Sequence, residues 1–379
     1  MSNMRIAEAH EIGDAHGDPE KTGAITAHGV GLRPVEVPCP PHTTERKLLM
    51  RIDYHLVPFV IVLYLCAFLD RVNIANARSF GLEADLGLHG TQFNTALTIF
   101  FVPYIVFEVA SNIFMKRFTP RIWLSACCFL FGVVTVCQGL TQNFGGILAT
   151  RFFLGLAETG LFPGCFYLLS CWYKRGESLT RFTLFFGSTS LAGAFSGLLA
   201  SAIGKLDYAH GFRGWRWIFI IEGSVTAIVG LIFLFTFPAF PEQSKWVTED
   251  ERAYIKARLE ADQGPSAAER PVSFRDVLVV LKDYKIWLGG FMYFGLIVPA
   301  YGYAYFSPTI LATYNYGTIE TQLHSVPPWV CAFGFSLIMA VISDKVGHRF
   351  GFIMLAICMP ITGFAILLRV HNNVNAECE

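Results

Sequence analysis

Apolar runs long enough to cross a bilayer recur along this chain, and short polar clusters separate them. A crossing helix needs about 20 mostly apolar residues. On that criterion the pattern predicts nine spans, at about 56–78, 93–114, 122–140, 144–171, 182–203, 215–237, 286–311, 326–342 and 350–368. Residues 1–44 are polar, rich in Gly, Pro, His and Glu and without periodicity, which predicts a disordered tail. Arg46, Lys47 and Arg51 mark the polar side of a short amphipathic lead, and Pro58 suits the first turn of the helix that follows. Residues 238–285 are charged and hold no run long enough to cross. The expected organisation is a tail (1–44), a six-helix bundle (45–237), a central loop (238–285) and an incomplete bundle of three spans (286–379).

Composition agrees with an all-α, polytopic membrane bundle. The 379 residues are 53% hydrophobic and 15% charged, where a soluble domain carries about 25% charged residues. Mean hydropathy is +0.46. Net charge is zero, so nothing points to nucleic acid or an acidic partner. The first apolar run begins only at Leu56, so the first span is expected to double as the targeting signal. Most of the ten cysteines lie inside apolar runs, where a thiol behaves as a small hydrophobe, and no CxxC pair occurs. His55, His89, His324 and His348 are scattered at span ends and loops, so no metal is expected. No HExxH, GxSxG or Walker A pattern is present, and no enzyme or catalytic residue is expected.

Charge placement sets the topology. Lys116, Arg117 and Arg121 follow span 2, Lys174, Arg175 and Arg181 follow span 4, and Lys345 and Arg349 follow span 8. The alternate loops carry at most Arg78, except that Lys205, Arg213 and Arg216 sit between spans 5 and 6. The excess of Lys and Arg puts the amino terminus and the central loop in the cytosol.

Candidate chemistry lies inside the spans. Span 1 is uncharged from Leu56 to Leu69 and then reads Asp70-Arg71, with Asn73 and Asn76 behind. Each such charge costs roughly 2.5 to 3.5 kcal/mol to insert, and those that persist usually face a bundle interior or a watery cavity. Span 4 holds Arg151 and Glu158 on one face, about 10.5 Å apart along the axis. Counting rise from each helix entrance puts Asp70 level with Arg151, which makes them a plausible ion pair. Arg71 is then left to face a ligand, and Glu158 lies near the midplane. The alternative is a static ion-pair network between spans 1 and 4. Glu108 on span 2 and Glu222 on span 6 are expected to pair with neighbouring helices. Tyr301 and Tyr305 share a face of span 7, with Tyr303 off it, and can line a cavity or anchor the helix at the interface. Gly193 and Gly197 form a GxxxG on span 5, read as helix packing. Asp344 would face the amino terminus of span 9, as a gate latch with Arg349.

At these residues the chain resembles the major facilitator superfamily. AVISDKVGHR (340–349) is similar to its loop signature GxLxDRxGRR, with Ala340 in place of the first glycine, and RFFLGLAETG (151–160) matches the span 4 signature RxxxGxxE. YLCAFLDRVNIANA, RFFLGLAETGLFPG and GWRWIFIIEG look like the anion:cation symporter branch. PEQSKWVTEDERAYIKARLEADQ and KIWLGGFMYFGLIVPAYGYAYFSPTIL look like the fungal allantoate and nicotinate permeases. The resemblance implies proton-coupled symport of a small organic anion. In that scheme Arg71 binds a substrate carboxylate, Asp70 and Glu158 handle protons, and Arg151 is their partner. Asn73, Tyr301 and Tyr305 join the expected substrate-binding set. Protons serve as the coupling ion and no cofactor is expected; the chain is expected to be a monomer, in the plasma membrane. The family has twelve spans and this sequence nine, so the rival expectation is a truncated, transport-dead protein acting as a sensor or interaction partner.

Overall fold

The computed structural model describes residues 39–263, 279–314, 316–346 and 349–377. Among the described residues, nine helices are long and apolar enough to cross a membrane: Glu45–Ser79, Gln92–Met115, Pro120–Gly139, Phe144–Ser170, Arg175–Leu206, Gly214–Thr236, Tyr284–Ala312, Thr318–Ser343 and Phe350–Arg369. They are numbered spans 1 to 9 below. Each falls on an expected apolar run.

Span 1 starts earlier than hydropathy suggests. Leu48, Ile52, Leu56, Val60, Leu63 and Ala67 are all buried and recur every three or four residues, so the amphipathic lead and the apolar run are one helix with one buried stripe. Pro58 therefore lies inside this helix and not in its first turn. The stripe faces a core that includes Phe100, Phe131, Trp172, Phe185 and Phe237. The closest helix partnerships are span 3 with span 6 and span 5 with span 8, and span 1 packs on spans 5, 6 and 7.

Spans 2 and 4 each have a local interruption near the middle, at Phe100 and at Thr159–Gly160, where the backbone stays in the right-handed helical region. Span 2 comprises Gln92–Ile99 and Phe101–Arg117, and span 4 comprises Phe144–Glu158 and Leu161–Ser170. They meet backbone to backbone. A Cβ on Gly155 would lie 2.0 Å from the Phe100 carbonyl oxygen, so only glycine permits the approach. The GxxxG of span 5 is a packing face as expected: a Cβ on Gly193 would fall 2.4 Å from the Trp329 ring of span 8.

The stretch after span 6 is not structureless. Glu249–Gln263 is a helix, with Glu249, Asp250 and Glu251 in its first turn, where a helix dipole favours negative charge. It docks on the end of the bundle where span 1 begins. Arg258 reaches Glu45 at 3.1 Å and Glu177 at 2.9 Å, Arg51 reaches Glu251 at 3.4 Å, and Trp246 stacks on His55 and Trp172. Beside it Arg181 grips Asp53 through Nε and Nη2.

Candidate functional site

Adjacent residues on a helix point about 100° apart, and this separates the tasks of Asp70 and Arg71. Asp70 faces span 3, where its Oδ2 lies 2.6 Å from the Thr135 hydroxyl oxygen. Arg71 faces spans 4 and 7. Its Nε and Nη2 both donate to Glu158 Oε1, each at 2.7 Å. Its Nη1 donates to the Tyr301 hydroxyl. The guanidinium also lies over two rings of span 2, 5.3 Å from Phe100 and 5.0 Å from Tyr104, an arrangement in which the ring faces attract the cation. Arg71 and Glu158 are both buried. Taking two charges out of water is costly unless the pair is well formed and further hydrogen-bonded, as it is here.

The helix geometry around Glu158 is local to it. Span 4 is interrupted directly after this residue, and the Thr159 hydroxyl donates to the Tyr104 carbonyl at 2.6 Å. A Cβ on Gly160 would meet Ser111 Oγ at 2.3 Å, so the glycine lets spans 2 and 4 touch beside the carboxylate.

The expected pairing is thus corrected. Among the described residues no ion pair joins Asp70 to Arg151, and Glu158 is held by Arg71, the residue expected to be left for a ligand. Arg151 is buried with Nε and Nη2 lacking a hydrogen-bond partner, its guanidinium 6.0 Å from the Phe219 ring. It acts on Asp70 through the field alone. Counting rise set Glu158 about two turns from the level of Asp70, Arg71 and Arg151, yet Arg71 bonds it; neither the reach of that side chain nor the direction in which each leaves its helix was legible.

The other expected residues divide. Tyr301 sits at the site, with Phe68 at 6.2 Å, Phe101 at 5.8 Å and Tyr305 at 5.6 Å between ring centroids. Tyr305 packs in the cluster of Trp215, Phe219, Ile74 and Ile147. Tyr303 lies off this face, against Trp329. Asn73 is buried and accepts from Asn76 Nδ2 at 3.3 Å, away from the Arg71 face. The side chains of Asp344 and Arg349 lie outside the described residues. Glu108 is half-buried in the field of Arg71. Glu222, expected to pair with a neighbouring helix, has both carboxyl oxygens buried with no hydrogen-bond partner. Among the described residues no cluster of His, Cys, Asp and Glu could hold a metal. Thr135 was not foreseen; its sequence signal was a polar pair three residues apart, Thr135 and Gln138, in a span whose other interior polar residue is Ser125.

The Major Facilitator Superfamily model matches residues 60–374. The chain is 36% identical over 337 residues to "MFS-type transporter cnsO" of Penicillium expansum, covering 87% of this chain and 65% of that one. It is 31% identical over 321 residues to a protein of Agrobacterium vitis named "Putative tartrate transporter", covering 85% of this chain and 70% of that one. A bacterial homologue of the human lysosomal transporter Spinster, solved inward-facing and unoccupied, superposes with a TM-score of 0.60 at 18% identity, covering 79% of this chain and 64% of that one. The xylose transporter XylE of E. coli superposes with a TM-score of 0.54 at 13% identity, covering 77% of this chain and 73% of that one. The chain spans 62 to 67% of the length of the first three curated relatives it matches. These relatives are named as transporters. With the family model matched over residues 60–374, most of its length, the chain belongs to the Major Facilitator Superfamily.

Proposed function

We propose that the chain is a proton-coupled symporter of a small organic anion, of the anion:cation symporter type, with a carboxylate as the recognised group. The observation that carries this is the pair Arg71–Glu158, with Tyr301 of span 7 on the same guanidinium. A planar guanidinium fork suits a carboxylate. Here the fork is occupied by the protein's own carboxylate, so a substrate anion competes with Glu158 for Arg71. A proton on Glu158 removes that competitor, and the anion and the proton then load together. The rings of Phe68, Phe101 and Tyr305, set at 34° to 88° to the Tyr301 ring, give the substrate's body an apolar aromatic surround. Nicotinate and allantoate fit this description, and tartrate enters through the name of the Agrobacterium relative. The reading includes a six-span half, a cytosolic connection and three further spans, with the amino terminus cytosolic, in the plasma membrane and as a monomer. Asp344 and Arg349 are proposed as a gate at the cytosolic end of span 8.

The test is uptake of radiolabelled nicotinate and tartrate by proteoliposomes under an imposed proton gradient. Concentrative uptake is expected. Arg71→Lys keeps the charge and loses the fork; it should lower uptake at sub-saturating substrate by roughly tenfold, equivalent to about 1.4 kcal/mol. Binding of these anions without any uptake would replace the symporter by the sensor reading. Undiminished uptake by Arg71→Lys would remove Arg71 from the site.

A further inference from the structure

We propose that Asp70 and Glu222 form a carboxyl pair that binds one shared proton, a proton site separate from Glu158. Spans 1 and 6 run antiparallel and in contact. Cys66 faces Thr226 across that contact. One turn on along span 1 comes Asp70, and one turn back along span 6 comes Glu222, so the register sets the two carboxyls opposite each other. Cys66 lies in the field of both, and Glu222 in the field of Asp70. Span 3 closes the third side: a Cβ on Gly223 would lie 3.0 Å from Thr135 Cβ, and Thr135 is the residue that touches Asp70.

The hydrogen bonds leave a place for a proton here. The Thr135 hydroxyl oxygen is 2.6 Å from Asp70 Oδ2 and 2.9 Å from the Phe131 carbonyl oxygen. A threonine hydroxyl has one hydrogen to give, and two acceptors lie within reach. If that hydrogen goes to the Phe131 carbonyl, a proton on Asp70 supplies the second bond. Glu222 is 7% exposed, and neither of its carboxyl oxygens has a hydrogen-bond partner. A buried carboxylate without a cation or a donor is unstable, and a proton removes its charge. Two carboxylates in each other's field repel, so the pair holds one proton in common. The other ionisable groups around it are Cys66 and Arg71 on span 1, Cys128 on span 3, and Arg151 and Glu158 on span 4. Arg151, with two unpartnered nitrogens, disfavours a metal cation at this place.

Charge balance links the pair to transport. With one shared proton the pair carries −1 and faces Arg151 at +1, while Arg71 is matched by Glu158. A second proton on the pair leaves Arg151 uncompensated, which an entering anion then neutralises. This deepens the proposed coupling, and it can be tested without a substrate.

The experiment is pH-dependent infrared difference spectroscopy of the full chain in lipid, reading the carboxylic-acid C=O band that shifts in deuterated water. A coupled pair titrates as a unit, so Glu222→Gln and Asp70→Asn should each remove the same pH-dependent signal, and the double variant should remove no more than either alone. Thr135→Val keeps both carboxyls and should shift that signal without deleting it. A Glu158→Gln control should remove a different signal. Independent signals that add in the double variant would overturn the proposal. So would an unchanged spectrum for Glu222→Gln, or a band displaced by sodium ions at constant pH. Failure of proton-driven uptake with the shared band intact would sink the symport reading and leave the pair standing.

Discussion

At the scale of single residues the site is a contest for one guanidinium. Arg71 carries Glu158 on two of its nitrogens and Tyr301 on the third. Glu158→Gln keeps the shape and removes the negative charge and its titration. The variant should still bind an anion and exchange it across the membrane, because exchange needs no proton release. It should lose accumulation driven by a pH gradient. Counterflow beside gradient-driven uptake in the same vesicles separates these outcomes, and a variant that still concentrates substrate would show that Glu158 does not couple. All four charged residues involved, Asp70, Arg71, Arg151 and Glu158, were visible in the sequence because a charge in an apolar run stands out. Their pairing was not visible. Depth along a helix follows from rise per residue, but azimuth and tilt decide whether Arg71 or Arg151 reaches Glu158. Thr135 was silent for another reason: a hydroxyl in an apolar span carries no hydropathy penalty large enough to notice.

At the scale of elements, span existence was legible and span shape was not. A hydropathy window sees Leu56 to Leu69 but not that Leu48 and Ile52 continue the same buried stripe, so the start of span 1 was placed a few turns late. Interruptions in spans 2 and 4 leave the apolar pattern intact and are equally invisible. The interruption of span 2 falls at Phe100, whose carbonyl meets span 4 at Gly155, beside the Arg71 site. A methyl group there meets the Phe100 carbonyl at 2.0 Å, a contact with backbone that no side-chain rotation relieves. Overpacking of this kind costs about 1–3 kcal/mol. Gly155→Ala should therefore lower the melting temperature of the purified protein and weaken substrate binding together. Gly289→Ala on span 7, where a Cβ meets nothing, is the matched control and should leave both unchanged. If the two variants melt alike, the close approach of spans 2 and 4 is not a constraint on the fold.

At the scale of the whole molecule, orientation rests on the Lys and Arg count, and the loop between spans 5 and 6 was its one exception. The structure gives that exception a cause. Arg216 donates to Asp85 Oδ2 through Nε at 3.1 Å and Nη2 at 3.0 Å, and to the Thr141 carbonyl through Nη1 at 2.6 Å. Arg213 approaches the same carboxylate at 3.8 Å, and the Trp215 indole N–H donates to it at 2.9 Å. These basic residues are a clasp that ties the loop after span 1 to the head of span 6. Orientation is set by Lys and Arg near the span ends, and acids contribute little. Two expectations follow, and they separate topology from stability. On a cysteine-free background, Tyr208→Cys, at 66% exposed, should react with an impermeant maleimide added outside intact cells, and Glu260→Cys only after permeabilisation. Adding Asp85→Ala should leave that labelling pattern unchanged while lowering the melting temperature, because it strips the clasp of its shared acid without altering the count of bases. A reversed pattern in the parent would invert the proposed topology. A pattern that flips only with Asp85→Ala would mean that the acid, and not the Lys and Arg excess, holds the bundle in its orientation.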